Sequence, residues 1–143
     1  MPSFLLVDDS PTVLLTLRHA IVQARGDVRI HEATDASRAL KLFDDARPDV
    51  VMMDMVMPED QEEPKEEDDE PESAGLKLVQ EMLARRPGTT ILLVTGLPPS
   101  HPDVTAAVSL GVAGVMRKPV RPDDVKAALA SLFPDADSLS YFG

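Results

Sequence analysis

The stretch VVMMD at residues 50–54 is a short apolar run that stops abruptly at a carboxylate. The same pattern occurs as FLLVDD at residues 4–9, while TILLVT at residues 90–95 ends in a hydroxyl. Continuous apolar runs of this length are typical of strands that are buried on both faces of a sheet. These runs therefore predict the interior of a parallel sheet, with a polar side chain following each strand.

Segments with helical spacing of apolar residues separate these runs. The predicted helices cover about residues 11–24, 36–46, 75–86, 103–110 and 122–133, and the predicted strands cover 4–7, 28–33, 50–53, 90–94 and 112–116. Ser10 is expected to cap the first helix and Gly26 to end it, and either Thr34 or Asp35 caps the second. Strands that alternate with helices in this way predict an α/β fold, doubly wound, with helices on both faces of a parallel sheet.

Five polar residues stand at or just beyond the ends of the predicted strands. They are Asp8, Asp9, Asp54, Thr95 and Lys118. Because the carboxyl ends of parallel strands meet at one edge of the sheet, where such folds bind ligands, we expect these side chains to converge on one pocket.

Three clustered carboxylates repel one another unless a proton or a cation offsets their charge. Mg²⁺ suits such a site because it prefers oxygen ligands and combines a few carboxylates with water and phosphate oxygens. One carboxylate could then attack phosphorus and form an acyl phosphate. Lys118 and the metal would neutralise the phosphoryl oxygens, and Thr95 would donate a hydrogen bond to one of them.

Composition narrows the functional classes. The net charge is −11, but ten acidic residues and one lysine lie between Glu59 and Glu72, so the rest of the chain carries only about −2. With no basic patch to hold phosphate backbones, nucleic-acid binding is not expected. The chain has no cysteine and no apolar run of the roughly 20 residues that span a bilayer, so we expect no disulfide, no membrane insertion and a cytoplasmic location.

The motifs as a set resemble the receiver domains of response regulators, the chemotaxis-protein-like family. They are VDDS at residues 7–10, VMMDMVMP at 51–58, LVTG at 93–96 and KP at 118–119. The resemblance implies a flavodoxin-like sheet with strand order 2-1-3-4-5 and five helices. It also implies a receiver domain over residues 1–133, with an acidic insert at about 59–74 that we expect to be disordered, and a short tail at 134–143.

The family pattern implies a Mg²⁺ site around a phosphoacceptor. Asp54 would accept a phosphoryl group from a histidine kinase or a phosphotransfer protein. Asp9 and Asp54 would bind Mg²⁺ directly together with the backbone carbonyl of Val56, and Asp8 would act through a water molecule.

The same pattern implies a switch. Lys118 would pair first with Asp54 and then with the phosphate, and its peptide bond to Pro119 would be cis. Thr95 would move toward the phosphoryl group and reshape the face formed by the fourth helix, fifth strand and fifth helix. The aromatic residue that usually stands three positions before the lysine is replaced by Val115, which we interpret as ordinary core packing.

Two other departures concern the surroundings of Asp54. Sixteen residues separate Pro58 from Gly75, where the family usually has a few, and this insert is either a solvated loop without a role or a docking or gating loop. The positions two after Asp54 and two after Thr95 are Val56 and Leu97, which are apolar and cannot hold an attacking water. The phosphorylated state is therefore expected to be long-lived.

The leading hypothesis is a stand-alone receiver that signals by docking to a target protein rather than an enzyme with turnover. A phosphorylation-independent scaffold is the first alternative. An aspartate-nucleophile phosphatase is the second, but it usually needs Asp-x-Asp and the second Asp is missing here. His19, His31 and His101 have no partner at ligand spacing and are interpreted as surface or rim residues. The sequence leaves open whether the chain is a monomer or a weak dimer.

Overall fold

The computed structural model describes residues 2–56 and 73–133. Within them, five strands alternate with five helices. In chain order the elements are β1 (Ser3–Val7), α1 (Pro11–Ala24), β2 (Arg29–Ala33), α2 (Ala36–Ala46), β3 (Val50–Met53), α3 (Ala74–Arg85), β4 (Thr90–Thr95), α4 (Pro102–Leu110), β5 (Gly114–Arg117) and α5 (Pro122–Leu132). The predicted α/β architecture is confirmed.

The five strands form one parallel sheet in the order β2-β1-β3-β4-β5, as the resemblance implied. The last strand begins later than predicted, at Gly114 instead of Val112. The N–H of Val112 donates back to the carbonyl of Ala107 in α4, so Val112 closes the helix and does not join the sheet. The N–H of Ala113 already donates to the carbonyl of Ile91 at 2.7 Å, and the first paired residues of β4 and β5 are Leu92 and Gly114.

The core consists of two apolar layers, one on each face of the sheet. Because successive residues of a strand point to opposite faces, a continuous apolar strand supplies both layers. In β3, Val51 and Met53 face α2, α3 and α4, while Val50 and Met52 face α1 and α5. All four are almost completely buried, which explains why the run lacks polar alternation.

The helix ends follow the sequence signals in part. Ser10 caps α1 by accepting from the N–H of Val13 at 3.3 Å, and Asp35, not Thr34, caps α2. The prediction that Gly26 ends α1 was wrong. The helix ends at Ala24, and Arg25 leaves it in an extended conformation with φ −145°, so no left-handed residue is needed there. The Arg25 guanidinium lies over the ring of Phe133, 5.0 Å from its centre, which favours this exit.

Most of the predicted insert at 59–74 lies outside the described residues, as does the whole tail at 134–143. The last two residues of the predicted insert are described, and they belong to the ordered fold. Ser73 caps α3 and Ala74 begins it. No helix in the described part of the chain is long and apolar enough to cross a membrane.

Candidate functional site

The carboxyl ends of the central strands bring the predicted polar residues to one edge of the sheet. Asp8 directly follows β1, and its N–H donates to the carbonyl of Ala33 at the end of β2. Asp54 directly follows β3, and its N–H donates to the carbonyl of Val7 at 3.0 Å. The parallel pairing therefore continues for one residue beyond each strand and fixes both carboxylates at the same level.

Asp8, Asp9 and Asp54 form a compact carboxylate cluster. Each contributes one oxygen to a group in which all three oxygens lie within 4.8 Å of one another. Asp8 is fully buried and Asp54 is 4% exposed, whereas Asp9 faces solvent. The N–H of Ser10 donates to Asp8 Oδ1 at 2.9 Å and holds that side chain in place. The cluster is thus closed toward the interior of the protein at Asp8 and Asp54 and open to solvent at Asp9.

Lys118 lies between the two buried carboxylates. Its Nζ donates to Asp54 Oδ2 at 3.0 Å and lies 2.9 Å from Asp8 Oδ2, an ion-pair contact without the alignment of a hydrogen bond. The backbone N–H of Lys118 donates to the carbonyl of Thr95 at 2.9 Å, which ties β5 to the end of β4. The Lys118–Pro119 peptide bond is cis, as the resemblance implied.

Burial and charge act in opposite directions on the ionisable groups. Burial raises the pKa of Asp54 above its ordinary value, although the hydrogen bonds from Lys118 and from the N–H of Val56 pull it down. Burial alone would lower the pKa of Lys118, but its contacts with Asp8 and Asp54 outweigh that effect and the pKa is raised. Lys118 therefore stays charged and favours the ionised form of the carboxyl that it touches.

The donor set fits a hard divalent cation such as Mg²⁺. Three carboxylates and one ammonium leave an excess of two negative charges when all are ionised. Asp8 Oδ2 is buried, and its ion pair with Lys118 at 2.9 Å lacks the alignment of a hydrogen bond, so this oxygen can still accept from a water molecule or bind a cation. The backbone carbonyl of Val56 is the remaining expected ligand. Val56 lies two residues after Asp54 and is 56% exposed.

Thr95 ends β4 and Val115 lies in the neighbouring strand β5. Thr95 is fully buried, and its Oγ1 accepts from the N–H of Leu97 at 3.1 Å. Val115 is half-buried and packs against the apolar layer beneath α4, as the core-packing interpretation predicted. The Thr95 hydroxyl thus holds its own loop in this state and keeps its proton available for donation.

Sequence reasoning missed how Ser73 and Asp103 support the site. The N–H of Ser73 donates to Asp103 Oδ2 at 3.0 Å, and the N–H of Gly75 donates to the carbonyl of Met55 at 2.9 Å. Ser73 stands just before an apolar helical run, which is the ordinary signal of an N-cap. His101, predicted at the rim, is half-buried, and its Nδ1 accepts from the N–H of Asp103 at 3.0 Å.

The model of one protein family, described as the response regulator receiver domain, matches residues 4–130. The chain belongs to the response regulator receiver family. The match spans every described strand and helix except the first residue of β1 and the last two residues of α5, so the whole sheet edge described above lies within the family's domain.

Two curated relatives are chemotaxis proteins CheY. That of Thermotoga maritima is 26% identical over 125 residues, covering 87% of this chain and 92% of its own length. That of Listeria monocytogenes is 24% identical over 129 residues, covering 90% of this chain and 96% of its own. The receiver of this chain thus extends over nearly the whole length of both relatives.

A solved structure shows the same fold. The receiver domain of AraT, a response regulator from Geobacillus stearothermophilus, superimposes with a TM-score of 0.75 at 22% identity, covering 96% of this chain and 97% of that one. The likeness to AraT confirms the fold, while membership of the receiver family implies phosphorylation-based signalling, since receiver domains are generally phosphoacceptor switches.

Proposed function

We propose that this receiver accepts a phosphoryl group on Asp54 in a Mg²⁺-dependent reaction and signals by docking to another protein. One observation carries the proposal. The Asp54 carboxylate is buried at the end of β3, within a cluster of three carboxylates, and touches the Lys118 ammonium at 3.0 Å. That arrangement combines a nucleophile, oxygen ligands for a cation and a fixed positive charge.

The nucleophile would be a carboxylate oxygen of Asp54. Its Oδ1 accepts from the N–H of Val56 and its Oδ2 accepts from Lys118, so both oxygens have fixed positions before the donor arrives. A new bond forms between a carboxylate oxygen and phosphorus while the bond from phosphorus to the donor's histidine nitrogen breaks. The freed imidazole takes a proton from solvent, and Asp54 keeps an acyl phosphate.

Asp8, Asp9 and Asp54, with the carbonyl of Val56, would hold the Mg²⁺ ion. When bound, the ion supplies positive charge that offsets the carboxylates and the phosphoryl oxygens. Lys118 would keep its contact with Asp8 and exchange Asp54 for a phosphoryl oxygen.

Thr95 would transmit the change. Its hydroxyl can donate to a phosphoryl oxygen, and a movement of Thr95 toward that oxygen would change its bond with the N–H of Leu97, which lies in the loop that leads to α4. Because Val115 fills the usual aromatic position, the movement of this loop rather than the rotation of a ring would carry the signal. The expected donor is a histidine kinase or phosphotransfer protein, and the expected output is a protein target, not nucleic acid.

The phosphorylated state is expected to persist. Hydrolysis requires a water aligned opposite the leaving carboxylate, and the two nearby variable positions hold apolar side chains, Val56 and Leu97. Neither side chain has a polar atom that could hydrogen-bond such a water. Val56 is largely exposed, and Leu97 is half-buried against the core. Loss of the phosphoryl group within seconds at neutral pH would contradict this expectation.

Incubation with Mg²⁺ and acetyl phosphate, followed by intact mass measurement, tests the proposal. The expected result is a gain of one phosphoryl group that disappears in EDTA and in Asp54→Asn. The exposed Asp123→Asn is the matched control and should be phosphorylated like the parent. No gain with acetyl phosphate or with phosphorylated kinases, together with no Mg²⁺ binding, would favour the phosphorylation-independent scaffold. Continuous release of inorganic phosphate from many phosphate esters would favour the phosphatase.

A further inference from the structure

The N-terminus of α4 is hydrogen-bonded to the residue that caps α3. Asp103, in the first turn of α4, accepts the backbone N–H of Ser73 on its Oδ2 at 3.0 Å. Ser73 in turn caps α3, because its Oγ accepts the N–H of Leu76 at 3.1 Å. A carboxylate of α4 is therefore hydrogen-bonded to the backbone of the residue that caps α3.

The start of α3 is also held against the residue that follows Asp54. The N–H of Gly75 donates to the carbonyl of Met55 at 2.9 Å. A Cβ on Gly75 would lie 2.4 Å from Met55 Cα, so the two backbones are in direct contact. Met55 stands between Asp54 and Val56, so the position of α3 sets the backbone that presents both.

Asp103 is connected to Thr95 as well. The N–H of Leu97 donates to Thr95 Oγ1, the N–H of His101 donates to the carbonyl of Pro98 at 2.9 Å, and the N–H of Asp103 donates to His101 Nδ1 at 3.0 Å. The hydrogen bonds thus run from Thr95 through the loop before α4 to Asp103.

The chain length around the insert makes this contact important. Sixteen residues, 57–72, lie between Val56 and Ser73, so these two residues are far apart along the chain. The entropic cost of closing a loop grows with its length, and contacts between its ends must offset that cost. Besides the core packing of α3, the hydrogen bonds at Gly75 and at Asp103 hold the end that begins at Ser73.

We propose that Asp103 is a positioning residue of the phosphoacceptor site, acting through Ser73 and Gly75 on the backbone of Met55. It touches neither Asp54 nor the metal-binding carboxylates, and its effect is to keep α3 seated against the Asp54 loop. The proposal rests on the proposed function, because it concerns the reactivity of that same site. It further implies that a change at Thr95 reaches the Asp54 loop by two routes, through Lys118 and through α4.

The test compares three variants. Asp103→Ala removes the acceptor, whereas Asp103→Asn keeps a carbonyl oxygen that can still accept from Ser73. Asp123→Ala is the matched control, because Asp123 occupies the same place in α5, directly after a proline at the first helical position. No hydrogen bond to Asp123 is present within residues 2–56 and 73–133, so this variant removes the same first-turn charge without the tertiary contact.

Amide hydrogen exchange provides the first readout, since it needs neither metal nor phosphodonor. In Asp103→Ala the N–H groups of Ser73 and Gly75 should exchange about three- to tenfold faster, the ratio expected for loss of one ordinary hydrogen bond. Amides in the centre of β1 and β3 should keep their rates. Asp103→Asn and Asp123→Ala should both stay within about twofold of the parent protein. Unchanged exchange at Gly75 in Asp103→Ala would overturn the proposal.

Mg²⁺ affinity and the rate of phosphorylation by acetyl phosphate provide the second readout. Both should fall about two- to tenfold in Asp103→Ala and recover in Asp103→Asn, which a general loss of stability would not produce. If the parent protein acquires a phosphoryl group and all three variants have equal rates of phosphorylation and equal Mg²⁺ affinities, the proposal is overturned. If the parent acquires none, the proposed function fails, and the exchange measurement still decides whether Asp103 positions the Asp54 loop.

Discussion

Replacing Gly75 with alanine should destabilise the protein by pushing α3 off the loop that follows Asp54. The added Cβ would lie 2.4 Å from Met55 Cα, 2.6 Å from Met55 O and 2.7 Å from Asp54 O, whereas ordinary van der Waals contact begins near 3.4 Å. The helix must therefore shift by roughly 1 Å against backbone atoms, which cannot rotate away. Met55 is completely buried, so the loop has no free space into which it can retreat.

The size of the effect follows from two opposing contributions. Overpacking of a buried site costs about 1–3 kcal/mol, and contacts with three backbone atoms place this site at the upper end. Alanine recovers up to about 1 kcal/mol because it has the higher helix propensity. The free energy of unfolding should therefore fall by about 2 kcal/mol, which corresponds to a urea midpoint lower by about 1 M and a Tm lower by about 6–8 °C.

Urea unfolding followed by circular dichroism is the suitable assay, because the chain has no tryptophan for fluorescence. Gly26→Ala is the matched control, since no atom lies within 4 Å of a Cβ at that position and its φ is not left-handed. That variant should gain roughly 0.4–1 kcal/mol of stability, because alanine makes the unfolded chain stiffer. If Gly75→Ala unfolds at the same urea concentration as Gly26→Ala, the close approach of α3 to Met55 is wrong.

Three further predictions concern the charges of the molecule. Lys118→Met should raise the pKa of Asp54 further, because it removes both the hydrogen bond and the positive charge that lower it, and carboxyl-carbon NMR titration would measure this. Mg²⁺ at about 100 times its Kd should increase the free energy of unfolding by about 2.7 kcal/mol, and Asp9→Asn should abolish most of that gain in urea unfolding. Arg86→Ala should cost about 2 kcal/mol, because its guanidinium donates to a backbone carbonyl and lies 4.7 Å from the centre of the Phe43 ring.

Each of these predictions has a control at an exposed position. Lys126→Met should leave the pKa of Asp54 unchanged, and an unchanged pKa in Lys118→Met as well would contradict the electrostatic account. Asp123→Asn should retain the full stabilisation by Mg²⁺, and equal stabilisation of Asp9→Asn would remove Asp9 from the metal site. Arg38→Ala removes an arginine that makes no ion pair with the described residues, so it should leave the free energy of unfolding nearly unchanged. If Arg86→Ala lowers the free energy of unfolding no more than Arg38→Ala does, the proposed contacts of Arg86 are wrong.

The strands and their order could be predicted because the relevant signals are local. An apolar run such as VVMM at 50–53 has one physical solution, burial on both faces, and burial on both faces implies a parallel sheet with helices on each side. The errors arose at the ends of two helices, one through a local hydrogen bond and one through a contact with a distant residue. Val112 has the composition of a strand residue but is drawn into the end of α4, and Gly26 resembles a helix terminator while Arg25 already leaves α1 to reach Phe133.

The positions of Asp8, Asp54 and Lys118 were predictable for a different reason. The carboxyl ends of parallel strands form one edge, so the first polar residue after each strand necessarily lies near the others, whatever the helices do. The contact between Asp103 and Ser73 offers no such rule. The two residues are 30 positions apart on elements that are not neighbours in sequence, and each has an ordinary local explanation, a first-turn acid and an N-cap.

The carboxylates and the lysine are placed by the strand ends, whereas Ser73 is held by a contact between two helices. This difference determines which parts of the receiver can change in length while the carboxylates and the lysine stay together. The sheet alone places the carboxylates and the lysine, so changes in the connection between β3 and α3 leave them in position. What a longer connection puts at risk is the seating of α3 against Met55, because the covalent restraint weakens as the chain between Val56 and Ser73 lengthens. A carboxylate in the first turn of α4 replaces that restraint with a hydrogen bond, and it does so from the helix whose preceding loop is held by Thr95. The same contact that compensates for the insert therefore links the two sides of the site.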